Sequence, residues 1–199
     1  MTPKFWWYAA RSTGMVAWAM AAAVVVWGLL LSTRSARGLA KPAWVLDLHR
    51  FLGVIALGAT AAHLGALVGD NFVPFSAADL LVPGASAWKT FPVALGVVAL
   101  WLLLAVEVSS LLKRRLAHRA WMRIHLLSFV AYVLATVHYL QAGTERTNPI
   151  LLYTVEAVSA AVVFLTVLRV LAPRRVAPAG AGQRGPEVTR TVRAAENGV

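Results

Sequence analysis

Four stretches of this 199-residue chain carry no formal charge: 12–33, 51–69, 90–106 and 124–144. A fifth, 150–168, holds only Glu156. About 20 apolar helical residues cross the hydrocarbon core of a bilayer. The runs therefore predict transmembrane helices near 12–33, 48–69, 91–112, 124–142 and 150–170. Membrane strands alternate apolar and polar residues, whereas Val24-Val25-Val26 and Leu102-Leu103-Leu104 sit in unbroken apolar runs. Backbone groups in lipid must also bond within their own segment, which leaves helices. The expected fold class is all-α, a polytopic membrane helical bundle of about five spans. Composition agrees, because 59% hydrophobic and 14% charged residues leave too little polar surface for a soluble domain of this length.

The first run is too long for a signal peptide and follows the aromatic cluster Phe5-Trp6-Trp7-Tyr8. Aromatics of this kind mark a membrane interface, so the helix can begin as early as Phe5, with Arg11 snorkelling to the surface. Five spans put the termini on opposite sides. Arg34, Arg37, Lys41, Arg50, Lys113, Arg114, Arg115, Arg119, Arg123, Arg169, Arg174 and Arg175 share one side. Lys4, Arg11, Lys89 and Arg146 share the other, with Asp70, Asp79 and Glu145. Basic short loops stay cytoplasmic, so the N-terminus is expected outside and the C-terminus inside, in a multi-pass protein of the cell membrane. The net charge of +11 then belongs to loops facing anionic lipid head groups, and no nucleic acid partner is expected. Residues 5–170 read as the membrane domain. Residues 171–199, rich in Pro, Gly, Ala and Arg, read as a disordered basic cytoplasmic tail. In the loop 70–90, Ser76 followed three residues later by Asp79 resembles a capping box and suggests a short surface helix. The absence of cysteine excludes disulfides, thiolate-held clusters and covalently attached haem. There is no glycine-rich nucleotide-binding motif.

Ionisable side chains inside a membrane are costly and usually functional. Of the five histidines, His118 lies in a basic loop and reads as solvated. The others form two pairs, His49 with His63 and His125 with His138. At about 1.5 Å per residue, spacings of fourteen and thirteen residues rise about 20 Å. Each pair thus puts one imidazole near each side of a core about 30 Å thick. The two helices run parallel, so His49 and His125 share the inner level and His63 and His138 the outer. Two facing histidines at one depth can clamp a haem iron, and two levels predict two b-type haems (heme b). Fourteen residues end about 40° short of four turns, but thirteen end about 140° short. His125 and His138 therefore do not share a face of a straight helix, and a distortion or an oblique approach is required.

Small residues near His49, namely Gly53, Ala56, Gly58 and Ala59, leave room for a planar macrocycle, although small residues also serve helix packing. Arg50 and Arg123 flank the inner histidines and Arg11 the outer level, where guanidinium groups can bind haem propionates bidentately. The positive-inside rule accounts for Arg50 and Arg123 equally well. Zinc usually takes three or four converging ligands, and each level offers two. Interhelical hydrogen bonds explain one buried histidine better than four at matched depths. Glu107 reads as snorkelling toward Lys113. Glu156 has no assigned role. Trp18, Trp101, Phe129 and Tyr132 read as bundle core near the histidines.

With "ARSTG" opening the first span, "LHR" and "AAH" in the second, and "WMRIH" and "VHYLQAGT" in the fourth, the chain resembles the ferric reductase-like transmembrane domain family. That family includes ferric reductases, the membrane part of NADPH oxidases and the haem-binding subunit of the periplasmic methionine-sulfoxide reductase system. The resemblance covers about residues 5–170. It implies that His49, His63, His125 and His138 are axial ligands of two b-type haems that carry electrons across the membrane. The chain departs from larger members in lacking flavin and nicotinamide domains and in having five spans where six are common.

The expected function is transmembrane electron transfer by a membrane cytochrome b subunit, the membrane component of an oxidoreductase. Its donor would be a separate cytoplasmic flavoprotein or a membrane quinol, and its acceptor extracytoplasmic. Two rival classes remain: a non-catalytic membrane subunit or scaffold, with or without haem, and a small proton-coupled transporter using histidines as relays.

Overall fold

A computed structural model describes residues 4–33, 42–144 and 147–171. Among these the chain is all-helical: α1 (Phe5–Thr33), α2 (Pro42–Gly69), α3 (Ala77–Leu81), α4 (Thr90–Leu111), α5 (His118–Ala142) and α6 (Pro149–Leu171). All but α3 are long and apolar enough to cross a membrane. They follow the predicted spans closely, except that α1, α2 and α5 begin six or seven residues early. Those extra turns carry Arg11, Asp47, Arg119 and Arg123, as expected where long side chains reach back to head groups. Beyond Leu171 the expected tail lies outside the described residues, as do Arg34, Arg37, Lys41, Glu145 and Arg146.

The outer surface of the spans is apolar. Phe51, Val54, Val163, Phe164 and Val170 are 59% to 76% exposed. A soluble bundle would turn such side chains inward; here lipid is the solvent. The protein is a multi-pass helical membrane protein. Its first described residues and Leu171 lie on opposite faces of the bundle, called the N-side and the C-side below.

Local chemistry sets the helix ends. Pro42 and Pro149 open α2 and α6, and Pro92 lies in the first turn of α4, where the missing N–H costs no helical bond. Asn148 Oδ1 accepts the Ile150 N–H at 3.1 Å, capping α6. Gly69 ends α2, and Asp70 Oδ1 then accepts the Phe72 N–H at 3.1 Å, an Asx turn. Lys89 takes a left-handed conformation with φ 43°. Its Nζ donates to the Gln141 and Ala142 carbonyls at 3.2 and 3.1 Å, which closes the C-terminus of α5.

The spans form two antiparallel hairpins, α1–α2 and α4–α5, with α6 packed on α1 and touching α5 at Tyr132. The hairpins touch chiefly through α1 and α5, while α2 and α4 barely meet. Ala22, Val25 and Leu29 of α1 pack with Tyr132 of α5 and Val162 of α6. Polar groups at this seam bond across it. Tyr132 Oη meets Ser159 Oγ at 3.1 Å, and Trp18 Nε1 donates to Thr136 Oγ1 at 3.0 Å. The Trp18 indole also stacks on Tyr139, with centroids 5.2 Å apart.

The short helix expected after Ser76 forms as α3, with a complete capping box between Ser76 and Asp79. Hydrogen bonds from the Ser76 hydroxyl and then its backbone N–H hold the Asp79 carboxyl below its ordinary value of 3.8. A depressed pKa stabilises the capped state above that value, and the contribution is lost as pH falls through the folded pKa. Amide protection of Leu80 and Leu81 should therefore hold at pH 5 and fall below about pH 3.8. Asp79→Asn should flatten that dependence, as read by hydrogen exchange.

Candidate functional site

Because the hairpins meet chiefly along one edge, a cavity of about 850 Å3 opens between them. All four membrane histidines line it, two from α2 and two from α5. His63 and His138 sit at the N-side level and His49 and His125 at the C-side level, as the helical rise requires. α5 is continuous α-helix, so no distortion reconciles the thirteen-residue spacing. The two rings enter obliquely instead. His138 leans onto α4, whereas His125 stacks on Trp121 one turn earlier, with centroids 5.0 Å apart.

At the N-side level both rings are anchored. His63 Nδ1 donates to the Ala10 carbonyl of α1 at 2.7 Å, and His138 Nδ1 to the Pro92 carbonyl of α4 at 2.8 Å. A carbonyl only accepts, so each Nδ1 carries the proton and each neutral ring keeps its lone pair on Nε2. Both rings line the cavity. At the C-side level the His49 and His125 centroids lie 6.1 Å apart, with ring planes at 65°. Here neither Nδ1 is bonded. His49 Nδ1 is directed at the Val24 carbonyl without reaching hydrogen-bond geometry. His125 Nδ1 is buried with no partner.

Three rings rest on glycine. A Cβ at Gly14 would stand 3.0 Å from His63 Nδ1, one at Gly96 2.7 Å from His138 Nδ1, and one at Gly28 3.2 Å from His49 Cε1. In each case the carbonyl that the ring faces lies four residues earlier: Ala10, Pro92 or Val24. A helical Cβ tilts toward the preceding turn, so a side chain at the glycine would cover that carbonyl. The glycines therefore act as slots through which imidazoles reach helix backbone. Neither hydropathy nor charge marks Gly14, Gly28 or Gly96 as ring contacts. The signal was present, since Gly14 and Gly28 repeat on α1 the fourteen-residue spacing of His49 and His63 on α2.

Charges gather at the cavity's two ends. Arg11 and Asp70 line the N-side end, and Arg50, Lys113, Arg169 and Glu107 the C-side. Arg50 also pairs with Asp47 at 3.3 Å. Arg123, expected beside Arg50, is exposed and not part of the lining; Lys113 and Arg169 reach it instead. Glu107 does not snorkel to Lys113. Its carboxylate packs on the α2 backbone at Gly53, while Lys113 Nζ lies 3.9 Å from the Trp121 ring centroid. Glu156 is exposed on α6, away from the cavity, and His118 is exposed at the start of α5. Trp18, Phe129 and Tyr132 line the cavity, but Trp101 lies outside it and donates to the Leu81 carbonyl at 2.9 Å. Among the described residues no three of His, Cys, Asp or Glu converge as a metal cluster.

Fold and site together define a helical membrane protein with imidazole pairs facing each other across an internal cavity. Comparison with protein families, curated proteins and solved structures finds no match.

The slots make a direct prediction. Gly14→Ala and Gly96→Ala should each cost about 1–3 kcal/mol by overpacking against a histidine ring. Gly58, with open space around its Cβ position, should tolerate alanine or gain up to about 1 kcal/mol in helix propensity. Thermal unfolding in one detergent, compared across the three variants, checks both.

Proposed function

We propose that the protein is a membrane cytochrome b, with two b-type haems held by His63–His138 and His49–His125. Its function is to pass single electrons across the membrane. The observation that carries this reading is the meeting of four imidazoles, two from each hairpin, across one cavity at two depths. When bound, haem supplies the one-electron carrier that amino acid side chains lack.

The residues suit such a group. Two imidazoles that clamped one metal ion through bonds of about 2 Å each would set their ring centroids about 6 Å apart. The His49–His125 separation of 6.1 Å agrees. The anchors on His63 and His138 fix the tautomer that leaves Nε2 available, as metal-binding histidines usually require. The cavity wall is mostly apolar, and Arg11, Arg50, Lys113 and Arg169 offer cations to propionate carboxylates at its two ends.

Orientation follows from charge. Arg50, Lys113, Arg114, Arg115, Arg119, Arg123 and Arg169 cluster on the C-side, against Lys4, Arg11 and Lys89 on the N-side. The positive-inside rule makes the C-side cytoplasmic in a cell membrane. The donor is then a separate cytoplasmic flavoprotein or a membrane quinol, and the acceptor is extracytoplasmic. The chain serves as the membrane component of an oxidoreductase.

The test is the reduced-minus-oxidised spectrum of detergent-purified protein, with haem counted per chain. Two low-spin b-type haems are expected. His63→Ala and His138→Ala should each remove one and spare the other. Protein expressed with ample haem that still binds none would falsify the proposal and favour a scaffold or a proton-coupled transporter.

A further inference from the structure

Gly14, Gly28 and Gly96 imply a fourth slot. On α1 the slots are fourteen residues apart, and fourteen residues after Gly96 on α4 stands Ser110. Ser110 lines the cavity at the C-side level with His125. The carbonyl four residues before it, Val106, corresponds to Pro92 in the Gly96 slot. That carbonyl is already occupied: Ser110 Oγ donates to it at 2.8 Å and Ser109 Oγ at 2.9 Å. His125 Nδ1 is left buried and without a partner. Its ring stacks on Trp121 instead.

We infer that the two histidine pairs are electronically unequal, with His49–His125 the higher-potential site, and that Ser110 is a positioning residue that keeps it so. This rests on the function proposed above. A backbone acceptor on Nδ1–H makes imidazole a more basic ligand, which favours the oxidised iron. Both N-side histidines have that acceptor, His49 only faces the Val24 carbonyl, and His125 has none. Charge acts in the same direction. Arg50, Lys113 and Arg169 outnumber Glu107 and the Asp47 that pairs with Arg50 around the C-side end, while Arg11 and Asp70 line the N-side end together. Excess positive charge favours the reduced state, which carries one more electron. With haem bound, these residues would favour an electron resting at the C-side site.

The experiment is an optical potentiometric titration of the haem-loaded protein in detergent. Wild type should show two one-electron components at least tenfold apart in their reduction equilibrium, about 59 mV. S109A/S110G empties the fourth slot and frees the Val106 carbonyl. It should lower the higher component about tenfold and leave the lower in place. S110A alone keeps a Cβ in the slot and should move neither. Coincident wild-type components, movement of the lower one, or an S109A/S110G titration identical to wild type overturns the inference.

A second readout needs no haem. In nitrogen-15 histidine spectra of the haem-free protein, His125 Nδ1 should gain a hydrogen-bonded signature in S109A/S110G only. An unchanged signature overturns the role of Ser110, even if the double variant loads haem poorly. Protein that never binds haem overturns the proposed function, while the same spectra still decide whether Ser110 withholds the anchor.

Discussion

A neutral imidazole in a lipid-surrounded bundle must place one N–H somewhere. Lipid offers no acceptor, and every helix carbonyl before the last turn is already bonded within its own helix. His63 and His138 solve this by sharing a carbonyl that a neighbouring helix already uses, reached past a glycine. Such sharing brings two helices close and fixes their register. It ties α2 to α1 and α5 to α4, so each histidine belongs to a rigid hairpin and not to an independent helix. The cavity exists because each hairpin is held together internally while the two meet chiefly along α1 and α5.

The hairpins also repeat each other. In both, the chain passes an N-side slot, a C-side slot, a C-side histidine and an N-side histidine: Gly14, Gly28, His49 and His63 in one; Gly96, Ser110, His125 and His138 in the other. Such an arrangement matches parallel internal repeats related about the membrane normal. The tryptophans before the C-side histidines show where the halves diverge. Trp44 packs edge-on against Trp27, whereas Trp121 stacks on His125 itself. Departure from the repeat is concentrated at Ser110, Trp121 and His125, all at one level of one hairpin.

Charge placement separates the two ends of the cavity further. Lys113 is held over Trp121, which is held against His125, so a cation is coupled to the C-side pair through one indole. Glu107 occupies the groove that Gly53 leaves in α2, with no ion-pair partner among the described residues. A half-buried carboxylate beside a predominantly basic end tempers the local field without neutralising it.

Periodicity and charge-free length by themselves determined the five spans and the depths of the four histidines, because hydrocarbon thickness and helical rise are fixed quantities. The capping box at Ser76 was legible for a similar reason, as its hydrogen bonds lie within four residues. Partner choice across space was not legible. Arg123 and Lys113 look alike as loop cations, yet only Lys113 reaches the cavity. Glu107 looks able to meet Lys113 within two turns, yet it packs on α2. The roles of Gly14, Gly28 and Gly96 became visible only when another helix laid an imidazole against each. Spacing along one helix sets height and angle; which carbonyl a ring can reach depends on how closely a second helix approaches, and only the packed bundle decides that.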